Sequence, residues 1–120
     1  MINNFYKKYL IAILVSISIL YPYTGLAGGF DYNQSSLQAF YFFYDINIDG
    51  IPISDEDWVG AFITRNGEDI CIGSKRWDTS LCGGGVCEVP VMGFDINSAG
   101  YTDGYIMDGE SPSFKIFDIS

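Results

Sequence analysis

From Gln38 to Ile48 the chain keeps a period of two, not a helical period. Phe40, Phe42, Tyr44, Ile46 and Ile48 form one unbroken apolar row. Ala39, Tyr41, Phe43, Asp45 and Asn47 form a second row that turns from apolar to polar partway along. Side chains alternate between faces along a strand, so this pattern predicts a β-strand whose far end meets water. The segments that follow have the same character. Trp58–Thr64 is apolar on both faces and reads as a central strand, with Asp69–Gly73 as its partner. Val89–Phe94 and Ser113–Phe117 read as further strands, and Tyr105–Met107 as a weaker one. Asp49-Gly50 and Asn66-Gly67 are the dipeptides that two-residue hairpin turns favour. Ile51–Ile53 then returns along the first strand, but Pro52 cannot donate to a ladder, so that return is short or lies at an edge. Short strands separated by turn signals predict an all-β fold, an antiparallel β-sandwich of Ig-like or jelly-roll-like type. The sequence stops just after the apolar run Phe114–Phe117, which predicts either an edge strand or a domain truncated at its C-terminus.

The N-terminus has a different grammar. Lys7 and Lys8 precede the apolar run Tyr9–Leu20, Pro22 ends it, and Gly25-Leu26-Ala27 supplies small residues for a cleavage site. This is the layout of a secretory signal peptide. A spanning helix needs roughly 20 apolar residues, and this run is shorter, so no membrane span is expected in the mature form. The reading is a signal peptide over 1–27, a single domain over 28–120, and a secreted or cell-surface location. All fifteen acids lie after residue 27, against only Arg65, Lys75, Arg76 and Lys115, a net charge of −11. Phosphate backbones are bound by basic patches, so the acidity argues against nucleic acid as a partner. The chain has no histidine. That removes Ser-His-Asp triads, Cys-His dyads and His-ligated zinc sites from its own repertoire.

An exported chain with Cys71, Cys82 and Cys87 is expected to form a disulfide. Cys82-Gly-Gly-Gly-Val-Cys87 is a short, permissive loop, so Cys82–Cys87 is the expected pair. Closing it removes about 2 kcal/mol of unfolded-state entropy in the chain-entropy view. Cys71, between Ile70 and Ile72, reads as a small core residue; pairing with Cys82 or Cys87, or bridging to another chain, are the alternatives.

Three further constellations carry chemistry. Asp45, Asn47, Asp49 and Glu56, with Gly50 between them, match the ligand spacing of an EF-hand calcium loop. The same residues also read as the polar face of a strand ending in an Asp-Gly turn, and that hairpin reading is the expectation. Asp95, Asn97, Asp103, Asp108 and Glu110 form a second acidic group that matches no single motif. No cofactor is expected, and calcium is the alternative that these acids offer. Trp77 with Tyr101 and Tyr105 supplies flat apolar rings of the kind that stack on sugars, with Trp77 expected at the surface and Trp58 in the core. Paired carboxylates among Asp55, Glu56 and Asp57, or Asp108 with Glu110, suit glycoside hydrolysis. In so acidic a chain such pairs arise by chance, so no catalytic residue is assigned and no enzyme activity is expected. Asn33-Gln34-Ser35 is a formal glycosylation acceptor.

Four stretches carry a resemblance: Gln38–Phe43, Asp57-Trp-Val-Gly-Ala-Phe62, Cys71-Ile-Gly73 with Trp77-Asp78, and Gly109-Glu-Ser-Pro-Ser-Phe-Lys-Ile-Phe-Asp118. Together they resemble an uncharacterised β-sandwich repeat module of bacterial secreted and cell-surface proteins, over about Phe30 to Asp118. The resemblance implies the sandwich fold and a strand-turn-strand around Asp49-Gly50. It transfers no site residue. The functional expectation is a non-catalytic binding, adhesion or structural module at the cell surface, whose partner is an extracellular protein or a glycan. A carbohydrate-binding module and a calcium-stabilised domain are the alternatives.

Overall fold

The computed structural model describes residues 29–119, so the leader expected over 1–27 lies outside the described residues. Asn66 and Gly67 both adopt the left-handed backbone region, with φ of 53° and 81°. That geometry matches the twist of the strands it joins, and it closes the hairpin between β4 (Trp58–Arg65) and β5 (Glu68–Arg76). Pairing runs from Arg65 with Glu68 to Trp58 with Arg76, and the register shifts between Ala61 and Phe62, where β5 carries one extra residue. A late strand, Ser113–Phe117, pairs antiparallel with the other edge of β4. Counted in chain order it is β7, so β4 is central in the sheet β5-β4-β7, as its two apolar faces predict. Val59, Ala61 and Ile63 face the main core. Phe62 faces away from it and is covered by Phe30, whose ring stands 5.1 Å from that of Phe62 and 6.0 Å from that of Phe117.

A second sheet pairs β1 (Gln38–Phe43) with β6 (Cys87–Met92), antiparallel, from Gln38 opposite Met92 to Phe43 opposite Cys87. The strand expected over Gln38–Ile48 is thus cut at Phe43. Beyond it, β2 (Asn47–Ile48) pairs with β3 (Ile51–Pro52) in a small separate ribbon. The reason is local: Asp49 and Gly50 take φ of 52° and 82°, a tight turn that supplies its own partner strand. Ile53 N–H donates to the Ile46 carbonyl at 3.1 Å and lengthens the ribbon. The weak strand expected over Tyr105–Met107 is reduced to one parallel bridge, Gly93 with Ile106.

The two larger sheets share one core. On β6, Cys87, Val89 and Val91 are buried. Opposite them on β1, Tyr41 and Phe43 meet the Phe114 ring of β7 at 5.2 and 5.1 Å, and Phe43 meets Trp77 at 6.1 Å. β5 and β6 pass each other at Gly73, where the Pro90 carbonyl fills the space a side chain would occupy. Cys82 and Cys87 are bonded, with their Cα atoms 5.1 Å apart, and the loop between them holds a three-residue turn at Gly83–Gly85. Cys71 is free and buried, packed with Phe30 and Phe62, the core role expected of it. Burial pushes its thiol up to about 11, so it is held as the unreactive thiol. Among the described residues no helix is long and apolar enough to cross a membrane.

Candidate functional site

The least solvated-looking segment of the sequence is among the most exposed. Because the inward row of β1 is Ala39, Tyr41 and Phe43, the alternate row of Phe40 and Phe42 faces out. Their relative exposures are 50% and 64%, and Tyr44 just beyond reaches 78%. Period two fixes that these two rows oppose each other, but both rows of β1 are apolar. The choice of the second row follows from its opposite side: Phe114 and Trp77 are there to be packed against. Across the ladder, Phe40 stands opposite Pro90 and Phe42 opposite Glu88. Glu88 is held by Lys75 of β5 at 3.2 Å, so the charge on this face is paired. Among the described residues no strand lies on the other edge of β1.

A groove of about 660 Å³ runs beside the start of β1. Leu37, Ala39 and Tyr41 line one side, and Ile106, Met107 and Glu110 the other. Arg65, at the end of β4, fastens this second wall. Its guanidinium donates to the Gly104 and Tyr105 carbonyls at 3.0 and 3.1 Å and to both Glu110 carboxylate oxygens at 2.6 Å. Glu110 also accepts from the Met107 N–H at 2.8 Å. The Arg65 hydrogen bond, followed by that from Met107, holds the Glu110 carboxyl down to about 2. A carboxylate depressed below its unfolded value of roughly 4.3 supports the fold above that pH, and the support is lost as pH falls towards 2. We therefore expect wild type to lose thermal stability between about pH 4.5 and 2 more steeply than Glu110→Gln. Melts at half-unit pH steps check this, and parallel acid limbs would remove Glu110 from the wall's support.

The other residues singled out in the sequence fall elsewhere. Trp77 is only 4% exposed, so the surface ring expected there is a core ring, enclosed by Phe43 and the main cluster. Its backbone N–H, just past the end of β5, donates to the Asp57 carbonyl at 2.8 Å. Tyr105 is buried too, and its hydroxyl accepts from the Asn33 N–H at 2.7 Å; Tyr101 alone of the three is exposed. The sugar-stacking platform is thus not assembled. Asp45, Asn47, Asp49 and Glu56 are spread over the β2–β3 ribbon and the loop after it. Among the described residues no three carboxylate, thiol or imidazole groups converge as metal ligands would. In the second acidic group, Asp95 is buried and accepts from the Ser36 hydroxyl and the Asn97 N–H, which caps the turn Ile96–Ser98. Of the paired carboxylates, Asp57 is buried and bonded to backbone N–H groups, and Glu110 is engaged by Arg65. Ser35 of the glycosylation triplet is buried and donates to the Gly93 carbonyl.

The aromatic edge was missed as a site because an apolar row in a strand ordinarily means core. One signal was present: Ser35 to Tyr44 holds no charge, in a stretch from Asp31 onward that carries all fifteen acids. No family model, no curated protein and no solved structure matches this chain.

Proposed function

We propose that the protein is a non-catalytic, exported β-sandwich module that works by binding at the cell surface, through the outer face and free edge of β1. The observation that carries this reading is the solvent-facing pair Phe40 and Phe42, with Tyr44 just beyond, on a strand that among the described residues is paired on one side only. Apolar patches of several hundred Å² on a soluble surface mark interaction sites. The packing of β1 and β6 over β5-β4-β7 supports the sandwich. The basic-apolar-small layout of residues 1–27 supports export, and the Cys82–Cys87 bond is compatible with an oxidising compartment. The lack of histidine and the engagement of Asp57 and Glu110 in structural bonds support a role without catalysis.

The test follows the protein in a secreting bacterial host. The expected result is an extracytoplasmic product whose first residue is Gly28, retained on the cell surface, with Phe42→Lys lowering that retention at least fivefold. Cytosolic protein with residues 1–27 intact, or retention indifferent to Phe42→Lys, overturns the reading.

A further inference from the structure

We infer that the occupant of the β1 edge is a second copy of this chain, joined strand to strand about a twofold axis. The inference rests on the reading of β1 as the binding edge and names its partner. An unpaired strand presents a row of backbone donors and acceptors that another strand can complete. In β1 and its approach nothing blunts that edge: Ser35 to Tyr44 contains no charge, no proline and no glycine. Charge matters here because two copies of a chain carrying −11 after residue 27 repel each other over most of their surfaces. The uncharged edge is where like copies can approach.

The geometry is self-complementary. In an antiparallel pair, residues directly opposite each other share a face, so a twofold pairing of β1 with itself keeps the outer row on one side only if a residue lies on the axis. Centring on Tyr41 places Phe40 of each copy opposite Phe42 of the other, and Ala39 opposite Phe43. Four phenylalanine rings then form one stripe across a continuous sheet in the order β6-β1-β1-β6, with the cross-strand aromatic pairs that stabilise sheets. At about 200 Å² per aromatic side chain, Phe40, Tyr41, Phe42 and Tyr44, exposed by 38–78%, present on the order of 450 Å² per copy. Leu37, 54% exposed, and the strand backbone add to this, so roughly 1,000 Å² is present on the two copies together; side-by-side pairing covers the ring flanks and the edge backbone, a part of that area that suits a weak, reversible dimer.

The experiment is sedimentation velocity of the purified protein from about 1 to 200 μM, comparing wild type with Phe40→Lys/Phe42→Lys. Both phenylalanines are half exposed or more, and unchanged circular dichroism and thermal melts verify that the variant folds; the single Phe42→Lys serves if the pair does not. Wild type is expected to pass from monomer to dimer within this range, and the lysine variant to remain monomeric throughout. Raising salt from 20 to 500 mM should tighten the wild-type dimer severalfold by screening the acidic surfaces. A wild type that stays monomeric at 200 μM overturns the second copy as occupant, while surface retention that still depends on Phe42 would leave the edge itself standing. An association that the lysines leave intact runs through another part of the chain and overturns the assignment to β1.

Discussion

Gly73→Ala is expected to cost the protein about 3 kcal/mol or more, a fall in melting temperature of roughly 12–24 °C for a domain of this size. A Cβ at Gly73 would overlap the Pro90 carbonyl oxygen and lie 2.6 Å from the carbonyl carbon. Both atoms are backbone, so no rotamer change relieves the clash. β6 has to move away from β5, and Cys87, Val89 and Val91 move with it out of the core they help to form. The effect is steric, since Gly73 does not need the left-handed backbone region. Gly100→Ala is the control: a Cβ there meets nothing within 4 Å, and its effect should stay within about 0.5 kcal/mol. Thermal and urea melts of the two variants check this. A Gly73→Ala protein melting within about 4 °C of wild type would mean that the strands cross with more room than the structure shows.

The second large effect is expected at Asp57. Its side chain is 1% exposed, and its two carboxylate oxygens accept from the Ser54 N–H at 2.8 Å and the Ile119 N–H at 2.9 Å. One residue therefore closes the loop before β4 and anchors the segment after β7. Asp57→Ala removes the acceptor of both donors; the two bonds are part-buried and Ile119 is 47% exposed, so a loss on the order of 2–3 kcal/mol follows. Asp57→Asn retains one acceptor oxygen and turns an amide N–H₂ towards the other donor, so it should fall between the alanine variant and wild type. Urea melts give the ranking, and amide exchange at Ser54 and Ile119 should accelerate in both variants. Equal stability of all three proteins would show that water satisfies these donors and that Asp57 is dispensable.

Much of the backbone was legible without tertiary information. Asn66-Gly67 and Asp49-Gly50 dictate their hairpins because the left-handed backbone that such turns need is cheap for Asn, Asp and Gly and expensive for most others. The Cys82–Cys87 pair follows from the short glycine loop between them. The centrality of β4 follows from its two apolar faces. The hairpin at Asp49 also explains why an EF-hand spacing arose without converging ligands: alternating polar residues on a strand, then an Asp-Gly turn, reproduce the first half of that motif.

The site was less legible. Tyr41 and Phe43 point inward while Phe40 and Phe42 point out, although the four are nearly interchangeable in hydrophobicity. Trp77, flanked by Lys75, Arg76 and Asp78, reads as a surface residue, yet it is enclosed. Phe30 lies in a stretch with no strand pattern, yet it covers the outer face of β4. In each case the outcome depends on a partner distant along the chain: Phe114 and Phe43 for the rings, Phe62 and Phe117 for Phe30.

The sequence by itself therefore determined most of the strands, the tight turns, the disulfide loop and the acidic character, because each depends on a few adjacent residues and their backbone preferences. Only the tertiary structure decided which row of β1 faces the other sheet and which faces away from it. That choice depends on which side of β1 the β5-β4-β7 sheet covers, and a strand apolar on both faces carries no local preference between them.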